Sequence, residues 1–173
     1  MTNVPIWFDR KFTFAFPVEQ FPIVCIRLRG APARLEEILQ PCPRDLLITR
    51  LEGKWSAQEH AGHLLDLEPL WTSRIDDFLN STQVLSAADL TNRKTDDANH
   101  NAQPLSAILS GFRSARLQLV DRVEKFPVEL FSRSILHPRL KQPMRLVDHL
   151  YFVAEHDDHH LARIWELVRS GTA

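Results

Sequence analysis

The sequence carries no excess of charge of either sign: 21 Lys and Arg stand against 22 Asp and Glu, a formal net charge of -1. So even a balance leaves no electrostatic footprint for a phosphate backbone or an anionic lipid surface, and neither nucleic acid nor a membrane is expected as a partner. Long hydrophobic runs are missing too, since no stretch approaches the roughly 20 apolar residues of a membrane span. The start, Met1-Thr2-Asn3-Val4-Pro5-Ile6, lacks the basic segment and apolar run of a signal peptide, so a cytoplasmic location is expected. Cysteine is scarce. Cys25 and Cys42 have no CxxC partner, and in a reducing compartment both are expected as free thiols. What remains is ordinary: 44% hydrophobic and 25% charged residues in a chain of 173, enough for one good core and a single domain over residues 1–173.

The apolar residues are spaced for helices. Residues 1–17 are expected to form an N-terminal arm whose rings, Phe12, Phe14 and Phe16 among them, pack on the body of the fold. A lone strand there would have nothing to pair with. From Val18 to about Gln40 apolar residues recur every three or four positions, with Gly30 and Pro32 predicting a kink or two consecutive helices. After Pro41-Cys42-Pro43, residues 44–54 read as a connection with at most a short helical turn. Ser56 with Glu59 three residues on is a capping box, opening a helix to about Leu79 in which Pro69 predicts a bend near residues 65–69. Residues 80–103 are polar and read as a long loop beside the bundle. Pro104 suits the first turn of a third long helix to about Phe126, and residues 127–142 form a second connection. Pro143 is then expected to begin the last helix, which runs to about Ser170. With no convincing strand pair and no internal repeat, the expected fold is an all-α four-helix bundle with long loops, whose facing helices are where such proteins build metal sites.

Histidine is what concentrates. The last helix holds His156-Asp157-Asp158-His159-His160, and the helix after Trp55 holds Glu59-His60-Ala61-Gly62-His63. At about 100° per residue, His149, His156 and His160 share one helix face, while His159 falls about 120° away. His156 and His160 at i and i+4 can reach a single ion, and His60 or His63 could complete a three-histidine set. Helical geometry alone does not choose between them. Neither cluster is the HExxH motif of zinc proteases.

The segment Trp55-Ser56-Ala57-Gln58-Glu59-His60-Ala61-Gly62-His63-Leu64-Leu65-Asp66-Leu67-Glu68, followed by His149 and then His156-Asp157-Asp158-His159-His160, resembles the DinB/YfiT-like superfamily of metalloenzymes over about residues 30–168. The resemblance implies a four-helix bundle, usually a homodimer, holding a divalent metal, commonly zinc or nickel, on His63, His156 and His160. It further implies a small-molecule substrate. Characterised relatives include transferases that use a low-molecular-weight thiol such as bacillithiol, mycothiol or glutathione, and a mycothiol-dependent isomerase; a related hydrolase is the other expectation. An open three-imidazole site can lower the pKa of a bound thiol or water. The competing reading is a non-catalytic metal-binding or stress-associated structural bundle.

Around these ligands, Asp157 and Asp66 are candidates to orient an imidazole or move a proton, with His149 and His60 as neighbours lining the site. As a group, Glu155, Asp157 and Asp158 read as a solvated helix face, and Arg113 and Arg116 as exposed helical arginines. His159 reads as a solvent or interface residue, and Trp55, Trp71 and Trp165 as core or interface. His100 and His137 fall in loops and carry no expectation.

Overall fold

The four long helices begin where the chain supplies a cap or a proline. In the structure, a computed structural model that describes residues 4–170, they are α1 (Phe21–Leu39), α3 (Ala57–Asn80), α5 (Leu105–Val123) and α6 (Leu146–Ser170). Two short helices, α2 (Arg44–Ile48) and α4 (Arg93–Asp97), lie in the connections. The capping box is formed: Ser56 Oγ accepts from the Glu59 N–H (3.2 Å) and the Glu59 carboxylate accepts from the Ser56 N–H (2.9 Å). Both α1 and α3 run unbroken through their internal prolines, Pro32 and Pro69. Each of these helices packs on both α5 and α6, and neighbours on two sides hold a helix together where one backbone hydrogen bond is missing. The resulting four-helix bundle places α3 directly against α6, so the two histidine clusters face each other.

The last helix does not begin at Pro143. Residues Pro143–Arg145 form a strand, β2, antiparallel to β1 (Ser134–Leu136), with Ile135 opposite Met144 and Leu136 opposite Pro143. Pro143 is the first residue of its strand, where its missing N–H is tolerated. Asp148 starts α6 instead, accepting from the Arg145 N–H at 2.8 Å and from its guanidinium. A parallel bridge between Val84 and Leu136 and the Leu85 N–H bond to Leu136 O (3.0 Å) tie the loop after α3 to this hairpin. The expectation of no strand pair therefore fails, because a strand of three residues is too short to show a period.

The arm packs as its rings predict. Trp7 and Phe12 lie edge-on to Phe152, and Phe16 lies against Tyr151. The acidic face of α6 is not solvated: Glu155 pairs with Arg10 and Arg27, and Asp158 pairs with Arg27 and Arg34. Asp157 is fully buried against Arg116, itself 0% exposed, which also holds Glu68 at 2.6 Å and so joins α5 to α3 and α6. Trp71 is core, whereas Trp165 is half exposed under Arg169. Cys25 and Cys42 are free thiols. Among the described residues, no helix is long and apolar enough to cross a membrane.

Candidate metal centre

One nitrogen from each of His63, His156 and His160 lies within 4.8 Å of the other two, and all three residues are buried. The Nε2 atoms of His156 and His160 are 3.2 Å apart. His60, one turn before His63, places its Nδ1 2.9 Å from Nδ1 of His160, the ring nitrogen other than the Nε2 that meets His156. Of the two α3 histidines that helical spacing left open, His63 has a ring nitrogen close to both His156 and His160, while His60 meets the other ring nitrogen of His160.

The tautomer of His63 follows from its partners. Thr95 Oγ1 donates to Asp66 Oδ2 (3.0 Å), so its lone pair accepts from Nδ1–H of His63 (3.0 Å), leaving Nε2 of His63 with a free lone pair. Asp66 Oδ2 also accepts from Nε2 of His100 at 2.7 Å. Burial would raise the Asp66 pKa, but the hydrogen bonds from His100 and Thr95 outweigh it and hold the group ionised. Asp66 therefore acts on His63 through Thr95, not directly. Asp157 is elsewhere engaged, both of its carboxylate oxygens on Arg116. His149 lies deeper, packed against Trp71 and Phe78.

Burial also sets the charge of the cluster. It pushes His60 down to about 3 and His63 to about 4, and holds His156 and His160 well below the ordinary value. All four are neutral at pH 7, the state in which imidazole offers a lone pair to a metal. Nitrogen lone pairs converging in a buried space repel one another unless a cation lies among them. The donor set fits a divalent metal with an open position.

The same burial has a cost in acid. Unfolded, each histidine takes a proton below about 6.5; folded, it does not until far lower, so stability present above 6.5 is lost as pH falls through that window. With several such groups, each worth up to about 1.4 kcal/mol per pH unit, the urea midpoint of chelated protein is expected to drop clearly from pH 7 to pH 5. An unchanged midpoint would contradict the buried neutral histidines.

Several participants carried no sequence expectation. Thr95 and His100 come from the polar loop, which folds over α3 as α4 and a short 3-10 turn, His100–Ala102. Gly62 held the clue: a glycine inside a helix costs about 1 kcal/mol against alanine, and here a Cβ would sit 2.2 Å from the His100 ring. Gly62→Ala is expected to dislodge His100, release Asp66 and Thr95, and weaken metal binding about 10–100-fold, read by competition with a chromophoric chelator. Wild-type affinity would show that this chain of hydrogen bonds is idle.

A cavity of about 370 Å³ opens onto the three histidines. Trp7, Phe8, Trp71 and Phe152 give it apolar walls, and Arg74, His137 and Arg139 also line it. His159, expected in solvent or at an interface, is half-buried at this cavity with its ring 5.5 Å from Trp7. Trp55 closes the other side, its ring 4.8 Å from His63 and its Nε1 donating to Asp96 (2.8 Å).

The model of the DinB superfamily matches residues 27–164 of this chain. YfiT from Bacillus subtilis, described as a probable metal-dependent hydrolase with an unusual four-helix bundle topology, has a solved structure that matches with a TM-score of 0.81 over 94% of each chain. The sequence identity is 20%, so this likeness is one of fold. No curated protein matches the chain.

Proposed function

This chain belongs to the DinB superfamily, and from that premise we propose that it is a metal-dependent hydrolase of a small molecule, with His63, His156 and His160 as the metal ligands. The observation that carries the reading is the convergence of three buried, neutral imidazoles beside a cavity of about 370 Å³. The description of YfiT as a probable metal-dependent hydrolase supports it. A divalent ion supplies a Lewis acid that polarises a substrate oxygen and lowers the pKa of a nucleophile. Zinc and nickel both suit three imidazoles.

The rest of the work falls to the chain. Thr95, backed by Asp66 and His100, fixes His63 in the tautomer that presents Nε2. His60 holds the ring of His160. Trp7, Phe8, Trp71 and Phe152 exclude bulk water from the cavity and offer apolar surface to a substrate. The same site could take a thiol in place of water as its nucleophile, which would make the reaction an S-transfer.

Metal content of protein purified without an affinity tag, followed by turnover assays, tests the reading. Loaded protein is expected to hydrolyse members of a panel of small esters and amides, and chelated protein or the His63→Ala, His156→Ala, His160→Ala triple variant is not. Consumption of electrophiles only when a thiol is added would move the assignment to a transferase. No metal, or no turnover above the triple variant with either nucleophile, would leave a structural bundle.

A further inference from the structure

The polar wall of the cavity holds donors with nothing to donate to. Nδ1 of His137 accepts from two backbone N–H groups, those of Arg139 (3.2 Å) and Leu140 (3.1 Å), and so carries no proton. Burial, with Arg74 and Arg139 nearby, pushes His137 down to about 3, so the ring is neutral and its one proton sits on Nε2. Yet Nε2 faces Nη1 of Arg74 at 3.3 Å, and a guanidinium nitrogen is itself only a donor. Two N–H groups that meet in this way need an acceptor to one side that both can reach.

Arg139 repeats the pattern. Its guanidinium lies over the rings of Phe8 (5.3 Å) and Phe152 (5.8 Å), and its Nη2 is buried with no hydrogen-bond partner. Arg74 is 2% exposed, stacked over Trp71 at 5.4 Å, with only Nε committed, to the carbonyl of Ser86 (2.9 Å). Among the described residues no carboxylate forms an ion pair with Arg74 or Arg139, and Asp77 favours the charge of Arg74 only through space, less than burial opposes it. Asp77 accepts from the Ser86 N–H (2.6 Å) and makes no ion pair with Arg74, and Asp89 turns its carboxylate back onto Thr91 and the Arg93 N–H. Desolvation correspondingly lowers the pKa of Arg74 to about 10 and that of Arg139 below its usual value. A buried cation without an anion is among the costlier arrangements a fold can keep.

We propose that the substrate of this cavity carries an oxyanion, a carboxylate or a phosphate, whose oxygens are held by Arg74, His137 and Arg139 while the remainder lies along the aromatic walls toward the three histidines. The proposal deepens the hydrolase reading and rests on it for the word substrate, but the binding subsite stands on its own donors. Charge-assisted hydrogen bonds of a guanidinium to such a group are strong and planar, which explains why the wall presents arginines and not lysines.

Isothermal titration of the full chain with benzoate, phenylphosphate and the neutral benzamide tests this, on zinc-loaded and on chelated protein. The anions are expected to bind about tenfold or more tightly than benzamide in both forms. Arg139→Gln, at a partly exposed position, is expected to erase that preference. Arg74→Gln should do the same where circular dichroism shows it folded. Benzoate against phenylphosphate decides which oxyanion fits. Equal binding of anion and amide, a preference that survives Arg139→Gln, or one that vanishes on chelation would overturn the subsite. Metal-free protein that keeps the preference but has no turnover when zinc is restored would overturn the hydrolase reading and leave the subsite in place.

Discussion

His156→Ala is expected to abolish stoichiometric metal binding, a larger loss than the roughly 10–100-fold that follows from removing a group behind a ligand. Two imidazoles from different helices would remain, and neither is held in a geometry that a third donor could complete, since Asp157 is locked on Arg116 and His60 is turned onto His160. His60→Ala should behave differently. It removes the partner of His160 Nδ1 but no lone pair from the cluster, so metal should bind more weakly and still reach one equivalent. Mass-spectrometric metal content after dialysis, together with chelator competition, separates the two. Metal content in His156→Ala equal to wild type would show that the cluster is not the site.

That contrast marks how far the sequence could be read. The i, i+4 pair on α6 is legible because helical periodicity is rigid over four residues, and the capping box at Ser56 fixes where α3 begins. His60 and His63 lie only about 60° apart around the helix axis, and the choice between them depends on which side of α3 meets α6, a tertiary fact. Pro143 shows a local rule overridden: proline suits a helix start and a strand start alike, and pairing with Leu136 decides it. The reading of Asp157 and Arg116 as solvated fails for a related reason. Each charge is unfavourable alone in a core, and only the fold reveals that they meet. Thr95, His100, His137 and Arg139 lie out of reach because a five-residue helix, a single 3-10 turn and a hairpin loop are too short to show a period, so nothing in the chain says which of their side chains turn inward.

Arg116→Met is expected to destabilise the protein by about 3–5 kcal/mol, the usual cost of removing one partner from a buried ionic cluster. The side chain is fully buried and is the hydrogen-bonded cation for both Glu68 and Asp157. Without it, two carboxyl groups share an apolar space and must take up protons or admit water. Replacing all three together, as Arg116→Met with Glu68→Gln and Asp157→Asn, should cost less than the single change, because no uncompensated charge is left. Glu68 gives the pH signature. Burial pushes its pKa up to about 7 from 4.5, with Arg116 pulling the other way. The folded protein thus holds this proton more tightly than the unfolded chain, and the contribution of Glu68 to stability declines as pH rises from about 4.5 to 7, opposite in sense to the histidines. Glu68→Gln should therefore gain on wild type between pH 5 and pH 8 in urea unfolding. A parallel pH dependence for the two proteins, or an Arg116→Met variant within about 1 kcal/mol of wild type, would mean that the cluster is wetter and looser than its burial implies.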